Sequence, residues 1–172
     1  MLVGGKMMKQ IVVAGGCFWG VEEYYRRIKG ILSTKVGYSQ GDIENPSYEQ
    51  VKTSLTNHRE VVLLSYDESI ISLKHIIDLL FRIIDPTIKD QQGDDIGSQY
   101  QCGIYYIDDG DLNTIMNSVN EMKKHYDKQL TIEIEKLRCF YDAEEYHQLY
   151  LVKNPSGYCH VDFSKIKEDE LK

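Results

Sequence analysis

The run Gln10-Ile-Val-Val-Ala14, closed by Gly15-Gly16 and followed at once by helical spacing, constrains this chain more than any other stretch. A short β-branched apolar run reads as a buried strand, and paired glycines supply the tight turn that ends it. Beyond the turn, Phe18, Val21, Tyr24, Tyr25 and Ile28 recur at helical spacing, with Gly20 the only glycine among them. Strand, turn and helix therefore follow without slack, and Cys17 falls on the helix N-terminus.

The remaining elements alternate in type. Ile31 to Tyr38 and Glu60 to Tyr66 read as strands, and Ser39 to Pro46 between them is rich in turn formers. Leu73, Ile76, Ile77, Leu80 and Ile84 mark an amphipathic helix that stops before Asp85-Pro86. Lys89 to Ser98 is polar, has no period and carries two glycines, so it reads as a long loop of the kind that often has a function. Gln101 to Ile107 is a strand, and Leu112 to Met122 a helix with Asp111 as N-cap. Thr131 to Leu137 begins with strand alternation, Ala143 to Val152 forms a last short helix, and the charged tail from Lys165 to Lys172 is expected to fray. Strands and helices intermix through one domain spanning residues 1–172, with its core at about 8–163 and a tail at 164–172. The class is α/β or α+β, a sheet with helices packed on it.

Composition narrows the function. Twenty basic against 27 acidic residues give a net charge of −7, which argues against a nucleic-acid binder. No apolar run approaches the ~20 residues of a membrane span, and the start lacks the apolar stretch of a signal peptide. Met7 or Met8 is a plausible natural start behind an added leader of residues 1–6. Thirteen tyrosines suit a pocket whose aromatics also donate hydrogen bonds, although Tyr-rich strands give the same count.

The four cysteines, Cys17, Cys102, Cys139 and Cys159, are far apart and form no C-x-x-C. A reducing, cytoplasmic setting follows, in which a thiol serves either packing or chemistry. Cys17 has the best setting for chemistry, because a helix N-terminus carries partial positive charge and unpaired N–H groups that favour a thiolate and pull its pKa down. Phe18-Trp19 place two large aromatics beside it. The plainer reading is a buried cysteine at a strand–helix joint. Cys102 and Cys139 read as small hydrophobes in strand-like runs. Cys159, after Pro155 and Gly157, lies where a thiol can swing toward a second sulfur.

Further motifs extend the hexamer Gly15-Gly16-Cys17-Phe18-Trp19-Gly20. They are Gly37-Tyr38 with Gly41, Asn45-Pro46-Ser47-Tyr48, Thr56-Asn57-His58-Arg59-Glu60-Val61 and Asp85-Pro86-Thr87. Gln92-Gly93-Asp94-Asp95-Ile96-Gly97-Ser98-Gln99-Tyr100, Ala143-Glu144-Glu145-Tyr146-His147-Gln148, Lys153-Asn154-Pro155 and Gly157-Tyr158-Cys159 complete the set. In this order they resemble the A-class peptide methionine sulfoxide reductases over about residues 10–160. The resemblance implies a two-layer α+β sandwich of the ferredoxin-like plait type. It implies that Cys17 attacks the sulfur of a methionine-S-sulfoxide and Glu60 acts as the acid. Tyr48 and Tyr100 donate to the departing oxygen, and Asp95 orders the polar side. Phe18 and Trp19 hold the methyl group, and Cys159 resolves the sulfenic acid to a disulfide that thioredoxin reduces. No cofactor and no metal are implied, since thioredoxin or dithiothreitol supplies electrons through thiols. The expected partners are methionine sulfoxide in peptides and proteins, and thioredoxin, for a monomer that binds no nucleic acid and no membrane.

Glu60 can donate near neutral pH only if burial among aromatics raises its pKa. Plainer readings stand beside these roles: a solvated Glu60 at a strand start, tyrosines with wet hydroxyls, and Asp94-Asp95 as loop charge or a weak cation site. The scattered His58, His147 and His160 signal no metal site. Two departures from the family pattern stand out, Gln40 at a frequent glycine position and Asn57 in place of glycine before His58. With no cysteine after Cys159, a two-thiol cycle is expected rather than a three-thiol relay. Two other functions fit the residues. One is a cysteine hydrolase or acyltransferase with His58 or His147 as base, and the other is a non-catalytic module whose Phe18-Trp19 pocket binds methionine-like side chains.

Overall fold

The computed structural model describes residues 2–3 and 6–172, with side chains from Met7 onward, so the reading of residues 1–6 as a leader falls in part on residues outside the described ones. In chain order the elements are β1 (Leu2–Val3), β2 (Lys6–Ala14), α1 (Phe18–Arg26), β3 (Ile31–Ser39), α2 (Tyr48–Val51), β4 (Arg59–Asp67) and α3 (Leu73–Phe81). Then come β5 (Gln91–Gln92), β6 (Asp95–Ile96), β7 (Gly103–Tyr106), α4 (Leu112–Lys123), β8 (Glu133–Lys136), β9 (Phe140–Asp142) and α5 (Tyr150–Lys153).

The sheet runs β8-β7-β2-β4-β3-β9, with β1 added to β2. Its inner four strands and two helices, β2-α1-β3-β4-α3-β7, form the split βαβ pair of a ferredoxin-like plait. Neighbours are antiparallel apart from the parallel β7–β8 pair. Alternation along the strands sorts the two faces. Ile11 and Val13 of β2 and Val62 and Leu64 of β4 join the core under the helices, whereas Val12, Ala14, Val61 and Tyr105 line the other face beneath Leu137 and Phe140. Burying each such aliphatic side chain contributes about 1.5–3 kcal/mol. Helix α1 is locked to α3 by polar contacts as well as packing, because the buried Tyr24 and Tyr25 hydroxyls donate to the carbonyls of Leu79 and Ile76 at 2.9 and 2.8 Å.

Several local expectations are corrected. Asp111 stands at the start of α4, but its carboxylate accepts from Lys9 across the sheet edge rather than capping the helix. The Lys89–Ser98 loop contains a minimal hairpin, β5–β6, turning at Gly93. β9 is missed by the sequence reading because three residues carry too little pattern, and it forms by pairing with Gly37–Ser39. Residues 143–152 are not one helix. A 3-10 turn at Glu145–His147 and α5 are separated by Leu149 in the left-handed region, held there by its N–H to Glu22.

The tail does not fray. Glu170 is buried, takes Arg82 in a two-pronged ion pair and His75 in a third contact, and its carbonyl accepts from Lys29. Leu171 bridges to Ile28, and Phe163 sits under the Arg27 guanidinium at 4.1 Å. Charge in the tail thus anchors it, because specific partners wait on α3, at its C-cap Arg82 and in the residues just after α1.

The two departures from the family pattern fall on left-handed backbone, with φ of 65° at Gln40 and 59° at Asn57. A side chain there is strained relative to glycine, and each is tied down. The Gln40 amide donates to Glu135 and to the Lys136 carbonyl while its oxygen accepts from the Arg138 N–H. Asn57 donates to Asp42. The turn that launches β4, and with it Glu60, is kept without the glycine.

Candidate active site

The site forms where the β2–α1 turn meets the first residues of β4. Gly16, at φ 88°, turns the chain so that Cys17 takes the N-cap position of α1 with extended rather than helical backbone. Glu60 lies opposite Tyr38 in the β3–β4 register and shares the helix-facing side of β4 with Val62 and Leu64. Period-two geometry therefore aims a carboxyl into an apolar layer, where the free N–H of Phe18 donates to it at 3.2 Å. That N–H is one of the unpaired donors of the α1 N-terminus.

Glu60 is 2% exposed, and among the described residues no cation reaches it. Desolvation pushes its pKa up to about 8, the Phe18 N–H opposing and the Asp95 charge assisting. The carboxyl is therefore largely protonated at neutral pH.

Cys17 corrects the sequence expectation. Burial pushes its thiol well above the ordinary value, and repulsion from Glu60 pushes it further, against one hydrogen bond from the Trp19 backbone. The helix N-terminus does not win, because the sulfur has lost its water and faces an acid. The two groups are coupled. While Glu60 holds its proton, the repulsive contribution to the Cys17 shift vanishes.

Tyr48 and Tyr100 are half-buried on the same site, and both phenols feel Glu60 and Cys17. Tyr48 is pushed up to about 12, and Tyr100 is raised too, each mainly by burial. Both are hydrogen-bond donors at any physiological pH. Tyr48 is set by the Ser47 capping box and by Glu144, which accepts from the Tyr48 N–H at 2.9 Å and from the Tyr38 hydroxyl at 2.8 Å. Tyr100 ends the 3-10 turn after the β5–β6 hairpin, and Asp95 of that hairpin accepts from Tyr158 at 3.0 Å.

Phe18 is buried against Tyr38 and His147, with ring centres 5.8 and 5.2 Å apart. Trp19 stacks on Tyr150 at 3.7 Å and 11°. Its indole N–H donates to His147 Nδ1 at 2.9 Å, so the proton of a neutral His147 sits on Nε2. Cys159, the other expected site thiol, rests over α1 one turn beyond Cys17, and a Cβ on Gly20 would meet its sulfur at 2.9 Å. All four thiols are free.

Sequence reasoning singles out these eight residues but misses the supporting set: His147 as the indole's acceptor, Glu144 as the bridge between two tyrosines, and Tyr150 and Tyr158 as aromatic and polar braces. The signal present was the dense acidic–aromatic run Glu144-Glu145-Tyr146-His147, whose partners are distant in sequence. His58 bonds Thr56, His147 takes Trp19, and His160 meets the Gly15 carbonyl, so the histidines serve three different partners. None of these contacts supplies Cys17 with the base that a hydrolase needs.

A buried thiol at a helix start, an acid that stays protonated, and a second thiol lying over the same helix form a site of the thiol-based redox class. The family model described as "Peptide methionine sulfoxide reductase" matches residues 9–172. A Clostridium botulinum (strain Loch Maree / Type A3) protein with the name "Peptide methionine sulfoxide reductase MsrA" is 57% identical over 154 residues, 90% of this chain and 98% of its own length. Reduced Mxr1 from Saccharomyces cerevisiae superposes with a TM-score of 0.86 at 39% identity, covering 92% of each chain. Mxr1 in complex with Trx2 aligns at 0.62 and 29% identity, covering 86% of this chain and 88% of that one. The chain belongs to the peptide methionine sulfoxide reductase family.

Proposed function

We propose that this chain, as one catalytic domain, reduces methionine-S-sulfoxide, free or within proteins, with Cys17 as nucleophile and Glu60 as acid. The observation that carries the reading is the buried Glu60 carboxyl beside the Cys17 turn, with its pKa pushed up to about 8 and, among the described residues, no cation to ionise it. A sulfoxide sulfur accepts a soft nucleophile only as its oxygen gains a proton, and a pre-positioned neutral acid supplies that. Cys17 bonds to the sulfoxide sulfur while Glu60 protonates the oxygen, and the thiol proton restores Glu60. The hydroxyl then leaves the methionine sulfur and bonds to the Cys17 sulfur as the transient S–S bond breaks, its electron pair returning to methionine. The products are methionine and a sulfenic acid on Cys17, two electrons having passed from thiol to sulfoxide.

Tyr48 and Tyr100 stabilise the charge growing on that oxygen as neutral donors, and Asp95 orders the polar side through Tyr158. Phe18 and Trp19 form the apolar seat for the sulfoxide methyl, with the indole fixed by Tyr150 and His147. Cys159 then closes a disulfide with Cys17. Mxr1 forms a complex with Trx2, and thioredoxin is the reductant we assign here, with dithiothreitol serving in assays. Among the described residues no helix is long and apolar enough to cross a membrane; reduced thiols at work fit a cytoplasmic setting.

Turnover of the two separated sulfoxide epimers with thioredoxin or dithiothreitol tests this directly. The S epimer should be consumed and the R epimer spared. Without external thiol, each sulfoxide should cost two protein thiols, with Cys17 linked to Cys159 on peptide mapping. Cys17→Ser that still turned over sulfoxide, or a link to Cys102 or Cys139, overturns the assignment.

A further inference from the structure

We infer that His160 is a positioning residue for the resolving half of the reaction, hooking the Cys159 segment onto the turn that carries Cys17. The inference rests on the reading of those two cysteines given above. His160 Nε2 lies 2.9 Å from the Gly15 carbonyl oxygen, two residues before the nucleophile. A Cβ on Gly16 would lie 3.1 Å from the same nitrogen and 2.8 Å from Gln92 Cβ, and a Cβ on Gly93 would lie 4.0 Å from His160 Cβ. The imidazole is thus wedged between the Gly15-Gly16 turn and the turn of the β5–β6 hairpin.

The two residues before it make matching contacts. Tyr158 donates to Asp95 on the hairpin, and the Cys159 sulfur lies over Gly20 of α1. Three consecutive residues therefore touch the hairpin, the helix and the nucleophile turn. The other ring nitrogen, Nδ1, is buried without a partner, so one hydrogen bond holds the ring to the turn.

The placement bears on one step in particular. After sulfoxide reduction, the S–OH bond on Cys17 breaks as the Cys159 sulfur attacks. An S–S bond forms, and the hydroxyl leaves as water with the Cys159 proton. The two sulfurs must come to about 2.05 Å, from segments 142 positions apart in sequence (159 minus 17). The Gly15–His160 hydrogen bond joins those same two segments within two residues of each sulfur. Such a clamp raises the effective concentration of one thiol at the other. Nothing in the sulfoxide-reducing half calls on this imidazole.

The test mixes the full reduced protein rapidly with a methionine-S-sulfoxide peptide in the absence of external thiol. Methionine formed, sulfenic acid trapped by dimedone, and disulfide formed are followed separately. His160→Ala should release one methionine per protein as the parent does, accumulate trappable sulfenic acid, and close the disulfide about ten- to a hundredfold more slowly, the range that misplacement by about an ångström produces. His160→Gln, which keeps an N–H donor at similar reach, should recover most of the closing rate. Disulfide closure in His160→Ala as fast as in the parent overturns the inference. So does a parallel loss of methionine release and closure, or a His160→Gln protein no faster than the alanine variant. If the parent itself fails to release methionine or to join Cys17 to Cys159, the underlying assignment fails instead.

Discussion

Glu60 and Glu170 are buried almost equally, 2% and 8% exposed, yet their carboxyls move in opposite directions, to about 8 and about 2. Glu60 faces aromatic rings and receives one backbone N–H. Glu170 receives Arg82 first and foremost, then the Lys167 N–H and His75. Burial sets the size of what is at stake, and the partner sets its sign. One carboxyl is kept neutral, the state that the proposed acid role requires. The other is kept charged to pin the last turn of the chain to the C-terminal end and first turn of α3 through Arg82 and His75.

The largest effect expected from this contrast is on turnover. Glu60→Gln keeps the shape and the hydrogen bond from Phe18 yet cannot transfer a proton, so kcat/KM for methionine-S-sulfoxide should fall about 10²- to 10⁴-fold. Glu170→Gln, measured in the same assay, should leave the release of methionine near the parent's. Equal losses in the two variants would erase the functional distinction between the sites.

Next in size is the pH dependence of stability, and the two acids carry opposite signs. The folded state holds a proton on Glu60 between the ordinary value of 4.5 and about 8, where the unfolded chain has lost it. The stability from that raised pKa is complete below the ordinary value and is lost as pH rises through about 8, an effect of order 5 kcal/mol. Glu170 behaves conversely, contributing above its ordinary value and losing the contribution as pH falls through about 2. Denaturant unfolding from pH 5 to 9 should show Glu60→Gln with a flatter profile than the parent. An unchanged slope would show that Glu60 ionises freely.

Smaller is the cost of the tail clamp itself. Glu170→Gln should lower stability by about 1–2 kcal/mol at pH 7, discounted because Arg82 and His75 keep contact with solvent, and thermal melting reads it as a fall of a few degrees. The smallest effect concerns Asp95, whose charge adds to the Glu60 shift. Asp95→Asn should move the falling alkaline limb of the rate profile to lower pH by less than about one unit. A limb that moved upward would reverse the sign assigned to that charge.

Much of the molecule is legible along the chain. The β2–α1 turn, the long strands at Ile31 and Glu60, and the amphipathic α3 and α4 announce themselves through spacing and glycine, which are local properties. β9 stays hidden because three residues gain strand geometry only from the partner they pair with. The charged tail reads as solvated until Arg82 and His75, far earlier in sequence, are brought beside Glu170. In the site, Cys17, Glu60 and the two aromatics after the thiol are visible as motifs. His147 and Glu144 are not, since their work is defined by an indole and two tyrosines from other elements.

The amino-acid sequence by itself determined that a cysteine stands at the start of a helix after a strand and a glycine turn, and that an acid opens a strand four positions after Thr56. What only the tertiary structure decided is where the protons sit. The thiol is held protonated and the acid neutral because strands and helices distant in sequence close over both and strip away their water, and desolvation of that kind is a property of the assembled fold.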